Sequence, residues 1–341
     1  MNFKLFKKLT KSLLLGRKNE YNAILNDWEY KKLPLKMKST PTVISIGVTN
    51  ICNLQCPLCI TGLRKQEKKP QHIDWDLFVQ IIEKAKDYKP LIQLYKWGES
   101  LLHPRIIDIF EYCNRYDLNT ELSSNLSLEN IDDKLEAMVK YRLKHLIVSF
   151  DGVTQEDYSR YRKNGNLETV ISNMQKIQEH KKKYNSKYPR ISLQFLKNKY
   201  TKNQIEVLEQ NYKQWGADDY YTCDMTVIFK DKDKEYFKDW FEEEDIKRRK
   251  YLDIDSEWFG KVCPFLYQIM VIEQDGSIPS CCFATSPKDN YSQWDNSKTI
   301  QEMFNSEKYI EARKMFKDKK GCASSTCNDC SMFITYCKGG K

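Results

Sequence analysis

The stretch Ile51-Cys52-Asn53-Leu54-Gln55-Cys56-Pro57-Leu58-Cys59 sets three cysteines at Cys-x3-Cys-x2-Cys spacing, directly after a strand-like run, Val43 to Val48. Three thiolates so spaced can wrap one corner of a [4Fe–4S] cluster. A typical cluster takes four cysteines, so a three-cysteine loop leaves one iron open to a substrate or cofactor. Zinc is the alternative metal. A structural zinc site closes with four Cys or His ligands, often as two pairs, and no fourth partner lies near this loop. The nearest candidate, His72, stands beyond the basic run Arg64 to Lys69.

Outward from the loop, strands and helices alternate from Thr42 to about Phe229. After the first strand, Asp74 is a good N-cap for a helix that carries Leu77, Phe78, Ile81, Ile82 and Ala85 on one stripe. Leu91 to Tyr95 reads as the second strand. Pro104 suits the start of a second helix, with Ile106, Ile107 and Phe110 inward. Thr120 to Ser124 is a third strand, about Leu128 to Tyr141 a helix, and His145 to Phe150 a fourth strand. Leu167, Val170, Ile171, Met174 and Ile177 repeat at helical spacing. Ile191, Leu193 and Phe195 alternate as a strand should. Ile205, Leu208, Tyr212 and Trp215 mark a fifth stripe, and Tyr220 to Phe229 closes the series. Such alternation predicts a parallel sheet with helices outside. Six units are too few for a complete barrel, so the expected fold is α/β, a partial (β/α)6 TIM-type barrel. Its reactive groups belong at the C-terminal strand ends, where the cysteine loop falls.

The expected organisation is a basic N-terminal extension over 1–41, the partial barrel over 42–230, a charged linker over 231–261 and a Cys-rich domain over 262–341. The linker is dense in aromatics, Trp240, Phe241, Tyr251 and Trp258 among them, and reads as helical. The last segment holds seven of the twelve cysteines. No apolar run is long enough to span a membrane, and no signal-peptide pattern is visible. Twelve cysteines in a chain of this length suggest metal ligands in a reducing cytosol. The net charge of +9 invites a nucleic-acid reading, but Lys4, Lys7, Lys8, Lys11, Arg17 and Lys18 supply +6 of it within residues 1–18. What remains makes no basic face, and no RNA-binding motif is present.

The cysteine loop resembles the signature of radical S-adenosylmethionine (SAM) enzymes. In that family the open iron chelates SAM, and reductive cleavage gives a 5′-deoxyadenosyl radical that takes a substrate hydrogen atom. Further motifs support the resemblance. Tyr95-Lys96-Trp97-Gly98-Glu99-Ser100 resembles the family's Gly-Gly-Glu-Pro motif, with Gly98 and Glu99 matching. The resemblance implies that Glu99 serves the SAM amino group. Ser149-Phe150-Asp151-Gly152 ends the fourth strand and Tyr161-Arg162 follows; by the same resemblance Ser149 serves the ribose and Arg162 the carboxylate. Ser124 and Asn125 are further cofactor-lining candidates. Leu58, where the family often has an aromatic, implies aliphatic packing on adenine.

Cys263, Gly276 and Cys281 resemble the opening of the family's SPASM and twitch extensions. With Cys327-x2-Cys330 they would close one auxiliary [4Fe–4S] cluster. Cys337 falls one residue late for a two-cluster SPASM domain, which favours the shorter twitch arrangement. Zinc with four cysteines is the rival there. Cys113 on a helix, and Cys223, read as small buried hydrophobes; Cys322 and Cys337 are open as ligands or free thiols. Cys282 abuts a proposed ligand and is the candidate catalytic thiol, since it could return hydrogen to a substrate radical. His103 reads as structural.

The resemblance therefore implies a cytosolic radical SAM oxidoreductase fed by an external flavodoxin- or ferredoxin-like donor. The cysteine layout resembles that of an aminocyclitol dehydrogenase of the superfamily, which implies oxidation of a small molecule or sugar. Epimerisation through Cys282 and peptide modification are the alternatives within the family. A non-catalytic metal-binding or electron-transfer protein is the alternative outside it. Residues 3–15, FKLFKKLTKSLLL, form a basic amphipathic pattern that can touch an anionic membrane or pack on the barrel.

Overall fold

A computed structural model describes residues 3–224, 239–242, 262–322 and 325–337. Seven strands run parallel in one sheet: β1 (Val43–Ile46), β2 (Leu91–Gln93), β3 (Thr120–Ser124), β4 (His145–Ser149), β5 (Arg190–Lys197), β6 (Asp219–Asp224) and β7 (Ile269–Ile272), in the order β6-β5-β4-β3-β2-β1-β7. The six expected strands are all present. The seventh comes from the region after 262 and pairs with β1, Val43 opposite Ile269 and Ile46 opposite Ile272. β6 and β7 are the two edges, so the barrel is open. The expected extension of β6 to Phe229 and most of the 231–261 linker lie outside the described residues.

Period-2 alternation divides each strand. Ile44 and Ile46, Ile92 and Leu94, Leu122, Leu146 and Val148, Ile191, Leu193 and Phe195, and Met270 and Ile272 are fully buried in one core. Against them pack the stripes of α3 (Trp75–Ala85), α4 (Ile106–Arg115), α5 (Asp132–Lys140), α7 (Leu167–Lys183) and α8 (Ile205–Asn211). Each such side chain contributes about 1.5–3 kcal/mol on burial. The Asp74 side chain caps α3, accepting from the backbone N–H of Asp76 and Leu77. The opposite strand face carries Ser45, Gln93, Glu121, Ser123, His145, Ser192 and Tyr221, so the concave side is mostly polar.

Several boundaries differ from expectation, and β1, β2 and β4 end at Ile46, Gln93 and Ser149, short of Val48, Tyr95 and Phe150. α4 starts at Ile106, after a 3-10 turn at Ser100–Leu102, and Pro104 precedes it. α5 starts at Asp132 because Leu126 and Asn130 take left-handed φ and break the preceding turn. α8 ends at Asn211, short of Trp215. A short helix, α6 (Gln155–Tyr161), was not expected.

Residues 1–41 hold α1 (Phe3–Leu14) and α2 (Lys18–Lys32). The buried face of α2 is Asn22, Leu25, Asn26 and Glu29, a helical spacing built mainly from polar residues. Asn22 accepts from Thr40 N–H (2.8 Å) and donates to the Thr40 carbonyl (3.1 Å). Asn26 donates to the Tyr267 carbonyl at 2.8 Å, and Glu29 accepts from Lys38 N–H and the Ser39 N–H and hydroxyl. α2 thus clamps the chain entering β1 to the chain entering β7.

After β7 come the hairpin β8 (Ser277–Pro279) and β9 (Asn290–Gln293), then α9 (Ile300–Phe304), α10 (Glu307–Asp318) and α11 (Ser331–Cys337). Arg313 on α10 is fully buried and donates to the carbonyls of Leu266, Leu35 and Phe304 and to Asn305. Burial lowers its pKa to about 10. Arg313→Met would strand these acceptors and should cost about 3 kcal/mol or more, read as a lower urea midpoint. Among the described residues no helix is long and apolar enough to cross a membrane.

Candidate active site

The cysteine loop leaves β1 through Gly47 and Val48, and Thr49 forms an isolated bridge with His72. The loop folds back tightly: Cys59 N–H donates to the Cys56 carbonyl, Leu63 N–H to that of Cys59. A Cβ on Gly62 would lie 2.5 Å from the Cys56 backbone, so only glycine closes this turn. Cys56 is buried, and Cys52 and Cys59 are partly so. Burial pushes the Cys52 thiol up to about 12, and nearby Glu99, Cys56 and Cys59 add to the shift. Cys56 is also raised by burial, with Arg162 opposing. The neighbouring sulfurs therefore lie close enough to oppose ionisation of Cys52 and Cys56, and iron would relieve that repulsion.

Two side chains aim at these sulfurs. Arg162 Nη1 lies 3.7 Å from Cys56 Sγ, and Asn125 Nδ2 lies 3.9 Å from Cys52 Sγ and 3.0 Å from Asn53 Oδ1. Arg162 is held by Asp151, which has no solvent exposure, at 2.5–2.6 Å. Asp151 also accepts from Leu196 N–H at 2.9 Å. Sequence reasoning quoted Asp151 but gave it no role. Its burial next to a strand end was not visible in the chain alone.

Gly98 and Glu99 bind the cysteine loop to two strand ends. Glu99 N–H donates to the Ile51 carbonyl at 2.8 Å. Its buried carboxylate accepts from the Ser124 hydroxyl (2.8 Å), Asn125 N–H (2.8 Å) and Leu101 N–H (3.1 Å). Burial raises its pKa and these donors oppose the rise. The structure thus brings together Cys52, Cys56, Cys59, Gly98, Glu99, Ser124, Asn125 and Arg162. Ser149 joins them by position at the end of β4, nearly buried. Leu58 packs in a closed cluster with Leu54, Tyr161, Trp240 and Phe241. The ring centroids of Tyr161 and Trp240 are 5.2 Å apart. The aromatic density of 231–261 was the available signal for this cover.

Cys263, Cys281, Cys327 and Cys330 form a second group. Burial drives the Cys263 thiol well up, and the other three sulfurs add to it. Tyr291 Oη lies 3.1 Å from Cys327 Sγ. Among the described residues no three His, Cys, Asp or Glu side chains close around one point as a single ion requires. Cysteines of a cluster bind separate irons and stand around it. Cys282 is partly buried, its thiol raised by desolvation and by Cys281, with Lys96 opposing. Cys113 is fully buried on α4; Cys223 faces Asp151 and Asp224, and burial raises its pKa to about 12. Cys322 and Cys337 pack on the core, partly buried. His103 is structural: buried, edge-on to His72, accepting from Arg105 N–H and paired with the Ile73 carbonyl.

Two polar networks went unforeseen. Lys96 and Lys68 both bind Glu273, at the end of β7, and Lys96 also donates to the Ala284 carbonyl at 2.9 Å. They tie the cysteine loop, β2 and the Cys281–Ala284 turn together. Across the concave sheet face, Glu121 accepts from Gln93 (2.9 Å), Tyr95 (2.6 Å) and His145 (2.8 Å), and His145 reaches Ser192 (2.8 Å). Burial pushes the Glu121 carboxyl up, but these donors outweigh it and hold it below its ordinary 4.5. The stability it contributes is present above 4.5 and lost as pH falls through the lower folded value. Glu121→Gln should therefore flatten the acid limb of a stability–pH curve, a change seen in urea titrations below about pH 4.5.

Comparison with known proteins decides the family. A profile of the radical SAM superfamily matches residues 46–190, and one of an iron–sulfur cluster-binding domain, SPASM, matches 263–331. The chain belongs to the radical SAM superfamily. This radical SAM protein accordingly uses SAM and a [4Fe–4S] cluster, and its SPASM domain brings auxiliary iron–sulfur chemistry. The donor sets fit both groups. It is 27% identical over 127 residues to the PqqA peptide cyclase of Gluconobacter oxydans, covering 37% of this chain and 35% of that one. It is 28% identical over 182 residues to the 7,8-dihydro-6-hydroxymethylpterin dimethyltransferase of Methanocaldococcus jannaschii, covering 51% and 36%. The chain thus spans about a third of the length of these relatives. In fold it is similar to Streptococcus suis SuiB bound to S-adenosylmethionine, with a TM-score of 0.64 at 15% identity, covering 92% of this chain and 77% of that chain.

Proposed function

We propose that this radical SAM enzyme carries out a two-electron oxidation of a small polar molecule or sugar held against the concave sheet face. Cys52, Cys56 and Cys59 hold the catalytic cluster, Gly98, Glu99, Ser124, Asn125, Ser149 and Arg162 form the SAM site, and Cys263, Cys281, Cys327 and Cys330 hold one auxiliary cluster. Residues 42–230, completed by β7 from 269–272, belong to the core, 231–261 to the linker and the rest of 262–341 to the auxiliary domain. When bound, SAM and the catalytic cluster would supply a carbon-centred radical able to remove a substrate hydrogen atom, and Cys263, Cys281, Cys327 and Cys330 would hold the cluster that takes the remaining electron. The observation that carries the reading is the hydrogen-bonded polar row Gln93, Tyr95, Glu121, His145 and Ser192 on the concave sheet face. Such a row suits hydroxyl or amine groups, and His145 beside Glu121 can take up the proton that oxidation releases. A flavodoxin- or ferredoxin-like protein supplies the first electron.

The test is anaerobic reconstitution, iron analysis, and EPR with and without SAM. About eight irons and a SAM-altered signal are expected in the wild type. The triple variant Cys52→Ala, Cys56→Ala, Cys59→Ala should keep about four irons and form no 5′-deoxyadenosine. Loss of all iron from that variant would remove the auxiliary-cluster assignment; no response of the wild type to SAM would sink the enzyme reading.

A second reading rests on Cys282, partly buried beside Cys281 and close to Tyr95 and Lys96. There the thiol returns a hydrogen atom and the product is an epimer. Cys282→Ala would then keep SAM cleavage and lose solvent deuterium from the product.

A further inference from the structure

α1 buries Leu9 and Ser12 against the protein and leaves its end apolar and bare. Leu13, Leu14 and Leu15 are 65%, 81% and 52% exposed. Only Tyr184 and Val207 join them as exposed large hydrophobics among the described residues. This exposure is not fraying. Gly16, at φ +66°, donates to the Leu13 carbonyl, and Arg17 N–H donates to the Ser12 carbonyl, the paired bonds of a Schellman cap. The turn is fixed, and it presents three leucines outward.

The surroundings are cationic. Residues 3–18 contain no acid, and Lys8 and Lys11 are exposed on α1. Glu20 pairs with Arg17, and Asp87 with Lys18, which offsets those two charges. Beside the leucines a cavity of about 530 Å³ opens, rimmed by Arg17, Lys18, Lys38 and Lys84 over Leu13 and Leu25. Apolar side chains flanked by basic ones match the boundary between lipid headgroups and acyl chains. Three leucines expose far less than the roughly 800 Å² per partner of a stable protein interface. They suffice to enter the outer few ångströms of a bilayer.

We propose that the end of α1 docks this protein on an anionic phospholipid surface. Leu13, Leu14 and Leu15 enter the acyl boundary, Lys8 and Lys11 face the headgroups, and the cavity beside them takes a headgroup phosphate. The docking is reversible and electrostatically gated, since each basic residue near such a surface strengthens binding about fivefold. It is independent of the enzyme's chemistry.

The test is co-sedimentation of the full chain with phosphatidylcholine vesicles and with vesicles about one-third phosphatidylglycerol. Binding is expected only to the anionic vesicles, weakening as salt rises. Leu13→Ser, Leu14→Ser, Leu15→Ser combined, and separately Lys8→Glu with Lys11→Glu, should each reduce it at least tenfold with circular dichroism unchanged. If the leucine variant misfolds, Leu14→Trp fluorescence decides, shifting to the blue on anionic vesicles alone. Absence of binding, equal binding to neutral vesicles, or binding untouched by the leucine or lysine changes would overturn the proposal. So would a wild-type dimer that becomes monomeric in the leucine variant, because a second copy would then cover the leucines.

Discussion

Gly98→Ala is expected to cut 5′-deoxyadenosine formation by about a hundredfold or more while the barrel stays folded. Gly98 has φ +88°, and a Cβ there would sit 2.7 Å from the Thr49 carbonyl oxygen, 2.8 Å from that of Ile51 and 2.9 Å from the Asn50 carbonyl carbon. All three are backbone atoms of the chain leading to Cys52, so no side chain can swing away. The left-handed backbone alone costs alanine about 1–2 kcal/mol. Relief of the clash must move the loop, and with it the Glu99 N–H bond to Ile51. Iron content and product formation per iron should both fall, against a modest drop in urea midpoint. Full activity in a folded Gly98→Ala protein would show that the loop has slack the packing denies.

That loop was legible in the sequence because its information is local. Cysteine spacing, the Gly98-Glu99 pair and the apolar periods of six strands need no knowledge of distant partners. What escaped depends on pairings far apart in the chain or on polar burial. The run Ile269 to Ile272 is a short apolar stretch, and only its pairing with β1 makes it a sheet edge. α2 hides from a hydropathy reading because Asn22, Asn26 and Glu29 occupy its buried face. Glu273 reads as an ordinary surface acid until Lys68 and Lys96 are brought to it. The Glu121–His145 row needs the register Glu121 opposite His145, which no single strand encodes.

Arg162 is where the local and distant arguments meet, and its variants should separate support from binding. Arg162→Met leaves Asp151 buried with only the Leu196 N–H, a loss of about 3–5 kcal/mol. Asp151→Asn alone leaves the guanidinium beside Cys56 without its carboxylate. The double variant Asp151→Asn, Arg162→Met removes both charges, and its stability should return to within about 2 kcal/mol of wild type. SAM binding should not return with it. A guanidinium that faces the SAM carboxylate makes charge-assisted hydrogen bonds worth about 1.5–3 kcal/mol, so both Arg162→Met and the double variant should need about 10–100 times more SAM for half-maximal cleavage. Arg162→Lys keeps the charge without the two-pronged grip on Asp151 and should fall between. Stability and SAM response recovering together in the double variant would reduce Arg162 to a brace for Asp151 and remove it from the cofactor site.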